Sequence, residues 1–200
     1  MKKIIIIDYG LGNLRSVQKG LQCAGADIII SKKPSQIKQA GGLVLPGVGA
    51  FKSAMNEIKN IQDAIYGAVA DGTPLLGICL GMQILLTESE EGGMIKGLDT
   101  IPGKAVRFAH KGLKVPHMGW NSLKIKKDHQ FVEGVPNGSY AYFVHSYYAV
   151  TDLQYMLATS DYGREFPAIM MKDNVIGTQF HPEKSGDVGL RMLENFVGMC

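Results

Sequence analysis

Gly77-Ile78-Cys79-Leu80-Gly81 is the sharpest chemical feature of the chain. An apolar run over residues 74–78 precedes it and helical spacing follows, the setting of a nucleophile on a tight strand-to-helix turn. A helix N-terminus there favours a thiolate, because its free N–H groups and dipole carry partial positive charge. The Leu80 amide is the first candidate donor to an oxyanion. A thiol needs a base, and five histidines are available: His110, His117, His129, His145 and His181. His181 has the best setting, in Phe180-His181-Pro182-Glu183 at the end of an apolar run. Residues two apart on an extended segment project to one side, so Glu183 can reach the imidazole, fix its tautomer and stabilise its charged form. A third feature, Pro46-Gly47-Val48-Gly49, ends another apolar run, and its glycines permit a backbone N–H to aim at developing negative charge. Each feature also has a plain reading: a small buried cysteine, a surface turn and an ordinary strand-to-helix connection.

Other chemistries fit less well. Gly10-x-Gly12 follows the first apolar run, but Arg15 stands where a dinucleotide-binding fingerprint requires a small residue. No Gly-Lys-Ser/Thr marks a phosphate loop. Cys23, Cys79 and Cys200 form no Cys-x-x-Cys pair, so no zinc site or disulfide framework is expected, and no metal or cofactor. Lys and Arg number 21 against 18 Asp and Glu, too balanced for a nucleic-acid binder. The basic run over residues 124–127 is interrupted by Ile125. The isoleucine run, residues 4–7, stops at Asp8, and no apolar stretch approaches the ~20 residues of a membrane span. A soluble, cytoplasmic protein is expected.

The elements that must position these residues follow from periodicity. Residues 3–8, 27–30, 42–45 and 74–78 read as short buried strands, and 13–24, 50–58, 61–69 and 80–88 as helices. That alternation predicts a parallel sheet with helices on both faces. Beyond Gly97 the texture turns extended, over residues 103–108, 122–125, 140–150, 154–159, 166–171 and 175–180. Asp173-Asn174 is a hairpin-turn candidate, and residues 187–199 close the chain as an amphipathic helix. The expectation is one three-layer α/β domain over residues 1–200, an open, mostly parallel sheet with an antiparallel extension in the C-terminal half. In such sheets the C-terminal strand edges line the active crevice, where the Pro46 loop and Cys79 would meet.

Cys79 in its Gly-Ile-Cys-Leu-Gly-Met-Gln setting, Pro-Gly-Val-Gly upstream and His181-Pro182-Glu183 downstream together resemble class I, triad-type glutamine amidotransferases over essentially the whole chain. The resemblance implies a flavodoxin-like three-layer fold. Two further segments, 116–121 (Pro-His-Met-Gly-Trp-Asn) and 142–147 (Tyr-Phe-Val-His-Ser-Tyr), resemble the glutaminase subunits of imidazole glycerol phosphate synthases. Chorismate-pathway glutaminases usually carry His where Met82 stands. By this resemblance Cys79 attacks the glutamine carboxamide, His181 moves the protons and Glu183 orients His181. The oxyanion falls to Leu80 and to an amide of Val48 or Gly49. Gln83, Val144, His145, Ser146 and Tyr147 contact glutamine. Asn13, Trp120 and Lys184 lie toward a cyclase subunit, a (β/α)8 barrel that receives ammonia for histidine biosynthesis. Two alternatives stay open: a glutaminase for another acceptor such as chorismate, and a stand-alone thiol hydrolase.

Overall fold

The protein is represented by a computed structural model, which describes residues 3–109 and 112–200. The first half alternates as expected: β1 (Ile4–Ile7), α1 (Leu14–Cys23), β2 (Ile28–Ser31), α2 (Pro34–Ile37), β3 (Gly42–Leu45), α3 (Phe51–Ile58), α4 (Gln62–Ala70), β4 (Leu75–Ile78) and α5 (Leu80–Ile84). Strands follow: β5 (Leu86–Ser89), β6 (Ile95–Lys96), β7 (Ile101–Arg107), β8 (His117–Ser122), β9 (Lys124–Ile125), β10 (Tyr140–His145), β11 (Tyr147–Val150), β12 (Met156–Asp161), β13 (Glu165–Lys172) and β14 (Val175–Thr178). Helix α6 (Gly186–Met199) closes the chain.

The main sheet runs β2-β1-β3-β4-β14-β13-β12-β9. Its first five strands are parallel, with β14 beside β4 in the register Ile176↔Leu76, and β13, β12 and β9 continue it antiparallel. The four isoleucines of β1 show why these runs are continuously apolar. Ile4 and Ile6 pack on one face with Val17 and Leu21 of α1 and Phe196 of α6. Ile5 and Ile7 pack on the other with Phe51 of α3 and Ile65 of α4. A strand covered on both faces has no polar side to show. Two smaller sheets, β8–β10 and β11-β7-β5-β6, stand beside the main one.

Several expected boundaries move. The helix expected over residues 80–88 stops at Ile84, and β5 follows it. The carbonyls of Ile84 and Leu85 accept from Leu98, Thr100 and Ile101, so the chain at 98–101 caps α5 early. The extended run 140–150 breaks at Ser146, because β10 pairs with β8 and β11 with β7. The run 122–125 breaks at Leu123 between β8 and β9, and residues 154–155 lie in a 3₁₀ turn (Leu153–Tyr155) ahead of β12. The short helix α2, with Pro34 in its first turn, was not expected. The Asp173-Asn174 hairpin between β13 and β14 forms as expected, with Asp173 at φ 53°.

Candidate active site

Four connections converge at the C-terminal ends of the parallel strands: Asp8-Tyr9 after β1, residues 46–49 after β3, Cys79 after β4 and residues 179–183 after β14. Cys79 sits between β4 and α5 with φ 55° and ψ −107°, backbone that a non-glycine residue adopts only when its surroundings impose it. Its N–H donates to the Thr178 carbonyl at 2.7 Å and its carbonyl accepts from Gln83 at 3.2 Å. The flanking glycines serve close approach rather than bending. A Cβ on Gly81 would lie 1.8 Å from the Leu45 carbonyl oxygen, and one on Gly47 2.7 Å from the Gly81 nitrogen. The strain of the turn is thus carried by Cys79 itself.

His181 is equally fixed. Its N–H donates to Tyr142 at 2.9 Å, and its carbonyl accepts from the Ser185 hydroxyl at 2.7 Å. Its Nδ1 meets Glu183 Oε1 at 2.9 Å, with both side chains buried. A carboxylate there only accepts, so Nδ1 carries a proton and Nε2 is the atom available for transfer. Nε2 and Glu183 Oε2 are both buried and have no hydrogen-bond partner among the described residues. Burial works against charging His181, but the Cys79 and Glu183 side chains beside it outweigh burial and hold it up at about 9.

A cavity of about 330 Å³ opens over Cys79. Leu80 and Gln83 line it from the elbow, Val48 and Gly49 from the loop after β3, and Val144, His145, Ser146 and Tyr147 from the β10–β11 junction. All expected oxyanion and glutamine-contact residues therefore meet in one place. The Leu80 N–H points at the Gly47 carbonyl at 3.4 Å, so this donor has a protein acceptor. Among the described residues no group of three or more His, Cys, Asp or Glu side chains is arranged to hold a metal ion, and no helix is long and apolar enough to cross a membrane.

Four polar residues at or beside the site escape a reading of the sequence. Buried Tyr9 donates its hydroxyl to the Pro46 carbonyl and pins the start of the Gly47–Gly49 loop; burial, with Cys79 second, raises its pKa. Glu91 lines the cavity while its Oε2 accepts the Phe51 N–H at 3.1 Å, yet it lies in a Glu-Glu-Gly-Gly stretch that reads as a solvent turn. Gln179, wholly buried, places Nε2 3.9 Å from Cys79 Sγ, and its one signal was adjacency to Phe180-His181. Asn121 contacts His117, which contacts His145 at 2.9 Å. Among the other histidines, His129 accepts the Phe131 N–H in a 3₁₀ turn, and His110 lies outside the described residues.

The three expected interface residues are dispersed. Asn13 is exposed and caps α1 through the Ser16 N–H at 3.3 Å. Lys184 is exposed in the 3₁₀ turn Pro182–Lys184. Trp120 on β8 stands opposite Tyr142 of β10, their rings edge to face at 6.0 Å. With Met118 and Tyr140, each more than half exposed, Trp120 gives the β8–β10 pair an apolar outer face.

Comparison with known proteins shows the family. Residues 5–199 match the family described as glutamine amidotransferase class-I. The chain is 54% identical to the imidazole glycerol phosphate synthase subunit HisH of Methanosarcina barkeri, over 100% of both chains. It is 52% identical to the subunit of the same name from Archaeoglobus fulgidus, over 98% of each. A solved structure of a glutamine amidotransferase superposes with a TM-score of 0.77 at 19% identity, over 98% of each chain, a likeness of fold. With Cys79 on its strained turn, the His181–Glu183 pair at the same edge of the sheet and relatives matching end to end, the chain belongs to the class I glutamine amidotransferases and, among them, to the family of imidazole glycerol phosphate synthase HisH subunits.

Proposed function

We propose that the chain is the glutamine-hydrolysing subunit of an imidazole glycerol phosphate synthase, one amidotransferase domain acting in the cytoplasm. The observation that carries the mechanism is the buried His181–Glu183 pair beside Cys79 on its strained turn. His181 Nε2 takes the proton of the Cys79 thiol, which then reacts as a thiolate. The sulfur attacks the carboxamide carbon of glutamine, and the oxyanion is held by the Leu80 N–H and an amide of Val48 or Gly49. The Gly47 carbonyl that now accepts from Leu80 has to withdraw first. His181 Nε2 hands its proton to the departing nitrogen, ammonia leaves and a γ-glutamyl thioester remains. His181 then takes a proton from water, hydroxide attacks the thioester, and glutamate departs from regenerated Cys79.

The cavity suits glutamine. Glu91 supplies negative charge for its α-ammonium group. Both N–H groups of Gln83 have partners, Tyr147 O at 2.9 Å and Gln179 Oε1 at 3.2 Å, which leaves its Oε1 to accept from the substrate. Val144, His145, Ser146 and Tyr147 line the same cavity. Ammonia is useful only unprotonated and undiluted, so it must pass directly to an acceptor site. The apolar β8–β10 face, with Asn13 and Lys184, is where a (β/α)8 cyclase subunit docks.

Glutamate release from glutamine, by the chain alone and with the cyclase subunit and its nucleotide ligand, tests this reading. Release is expected to rise strongly in the complex. Fast release alone, unaltered by the cyclase, favours an independent hydrolase. Within the complex, Glu183→Gln is expected to lower kcat by about 10²–10⁴-fold, since the imidazole loses its orienting charge.

A further inference from the structure

We propose that Gln179 is a further catalytic residue, whose side-chain N–H donates to the Cys79 sulfur and favours the thiolate. An amide has an oxygen end and a nitrogen end of the same outline, so its direction has to be argued from its partners. The partners here form a chain with two fixed ends. At one end the Asp161 carbonyl only accepts, so the Asn121 atom 2.7 Å away is its nitrogen. The Ser122 N–H at 2.8 Å accordingly meets the Asn121 oxygen. The second Asn121 N–H reaches His117 Nε2 at 3.3 Å, which must accept. His117 Nδ1 then carries the proton and donates to His145 Nε2 at 2.9 Å. His145 Nδ1 in turn donates to the Tyr147 carbonyl at 2.8 Å, and that carbonyl can only accept, so both ends agree.

The Tyr147 carbonyl also meets the end of Gln83 at 2.9 Å, which must therefore be the amide nitrogen. The second N–H of Gln83 points to Gln179 at 3.2 Å, and Gln179 has to present its oxygen there. One orientation remains, with the Gln179 nitrogen facing Cys79 Sγ at 3.9 Å. Turning Gln179 over would set two N–H groups against each other and an oxygen against the sulfur.

Burial makes the contact consequential. Gln179 is 0% exposed, and among the described residues the sulfur is the acceptor its amide nitrogen has. A buried amide without an acceptor is costly, and a thiol is a weak one. A thiolate accepts far better, so the cost of enclosing this N–H is recovered when the sulfur is charged. The Val144 carbonyl, 3.7 Å from the same sulfur, can only accept from S–H and serves the neutral form. Gln179 and Val144 thus flank the sulfur with opposite preferences, and the amide adds its pull to that of His181 without itself taking up a proton.

The inference rests on Cys79 being the nucleophile, and it can be tested without glutamine. Alkylation of Cys79 by iodoacetamide is followed against pH in the full chain, reading the Cys79 peptide by mass spectrometry so that Cys23 and Cys200 do not contribute. In Gln179→Met the rate at low pH is expected to fall about tenfold and the midpoint of the profile to rise by about one pH unit, with the high-pH plateau as in the unaltered chain. An unmoved midpoint overturns the proposal, whether the plateau holds or falls; a fallen plateau alone marks a structural role. In the unaltered chain, the side-chain amide resonances of Gln179 should shift as Cys79 titrates and stay still in Cys79→Ala. Resonances that ignore the titration overturn it too, even where Gln179→Met does not fold. Failure of the glutaminase reading would appear separately, as absent glutamate release by the unaltered complex.

Discussion

His117 and His145 are held neutral by their place in the site. Burial lowers His117 to about 4; burial, opposed by the Tyr147 carbonyl and reinforced to a smaller degree by the neighbouring His117 and His181 rings, takes His145 to about 3. Each ring already has one nitrogen donating and one accepting, so an added proton would break a link. The linkage sign is set by the folded values lying below the ordinary 6.5. Between pH 6.5 and about 4 the unfolded chain binds more protons, so stability falls as pH falls. His181 has the opposite sign: its contribution is present below 6.5 and is lost as pH rises through about 9. Urea unfolding is expected to weaken from pH 6 to pH 5 by up to about 1.4 kcal/mol per pH unit for each of the two histidines. Replacing both with glutamine should flatten that slope, and a slope that persists contradicts the assignment.

The elbow shows how an element can depend on a missing side chain. Alanine is the better helix former, yet Gly81→Ala would put a methyl 1.8 Å from the Leu45 oxygen in the strand beneath α5. Backbone cannot retreat there without parting β3 from β4, so a loss above about 4 kcal/mol is expected. Gly67 in α4 has nothing within 4 Å of an added Cβ, and Gly67→Ala should gain up to about 1 kcal/mol. Denaturant unfolding of the pair checks both signs. The same contrast explains what could be read in advance. The strands β1, β3 and β4 were legible because burial on both faces writes itself into unbroken apolar runs. Ser146 and Leu123 gave no sign of ending strands, since those breaks are set by which distant strand each side pairs with. The early stop of α5 depends likewise on residues 98–101. Cys79, His181 and Glu183 could be singled out in advance because the signal for each lies in its neighbours along the chain. Gln179 and the His117–His145 pair could not, because their contacts are with partners 100 and 28 positions away.

At the scale of the whole molecule, the crevice and the exposed apolar face of the β8–β10 pair are neighbours. Val144 lines the cavity and belongs to β10, whose outer face, shared with β8, carries Tyr140, Met118 and Trp120. Trp120 is 56% exposed, so little of the fold depends on it. Trp120→Ala is expected to weaken binding of the cyclase subunit by about 2 kcal/mol or more while leaving the thermal midpoint of the isolated chain unmoved. Titration calorimetry and a melting curve on one preparation decide it, and an unchanged affinity would remove this face from the interface. That face also sets a condition on supply. A chain made in excess of what covers it presents three large apolar side chains to its own copies, an invitation to self-association. On the proposed interface, matched production of the two subunits would protect solubility as well as economy, and an overexpressed lone subunit is expected to be recovered in better yield when its counterpart is made alongside it.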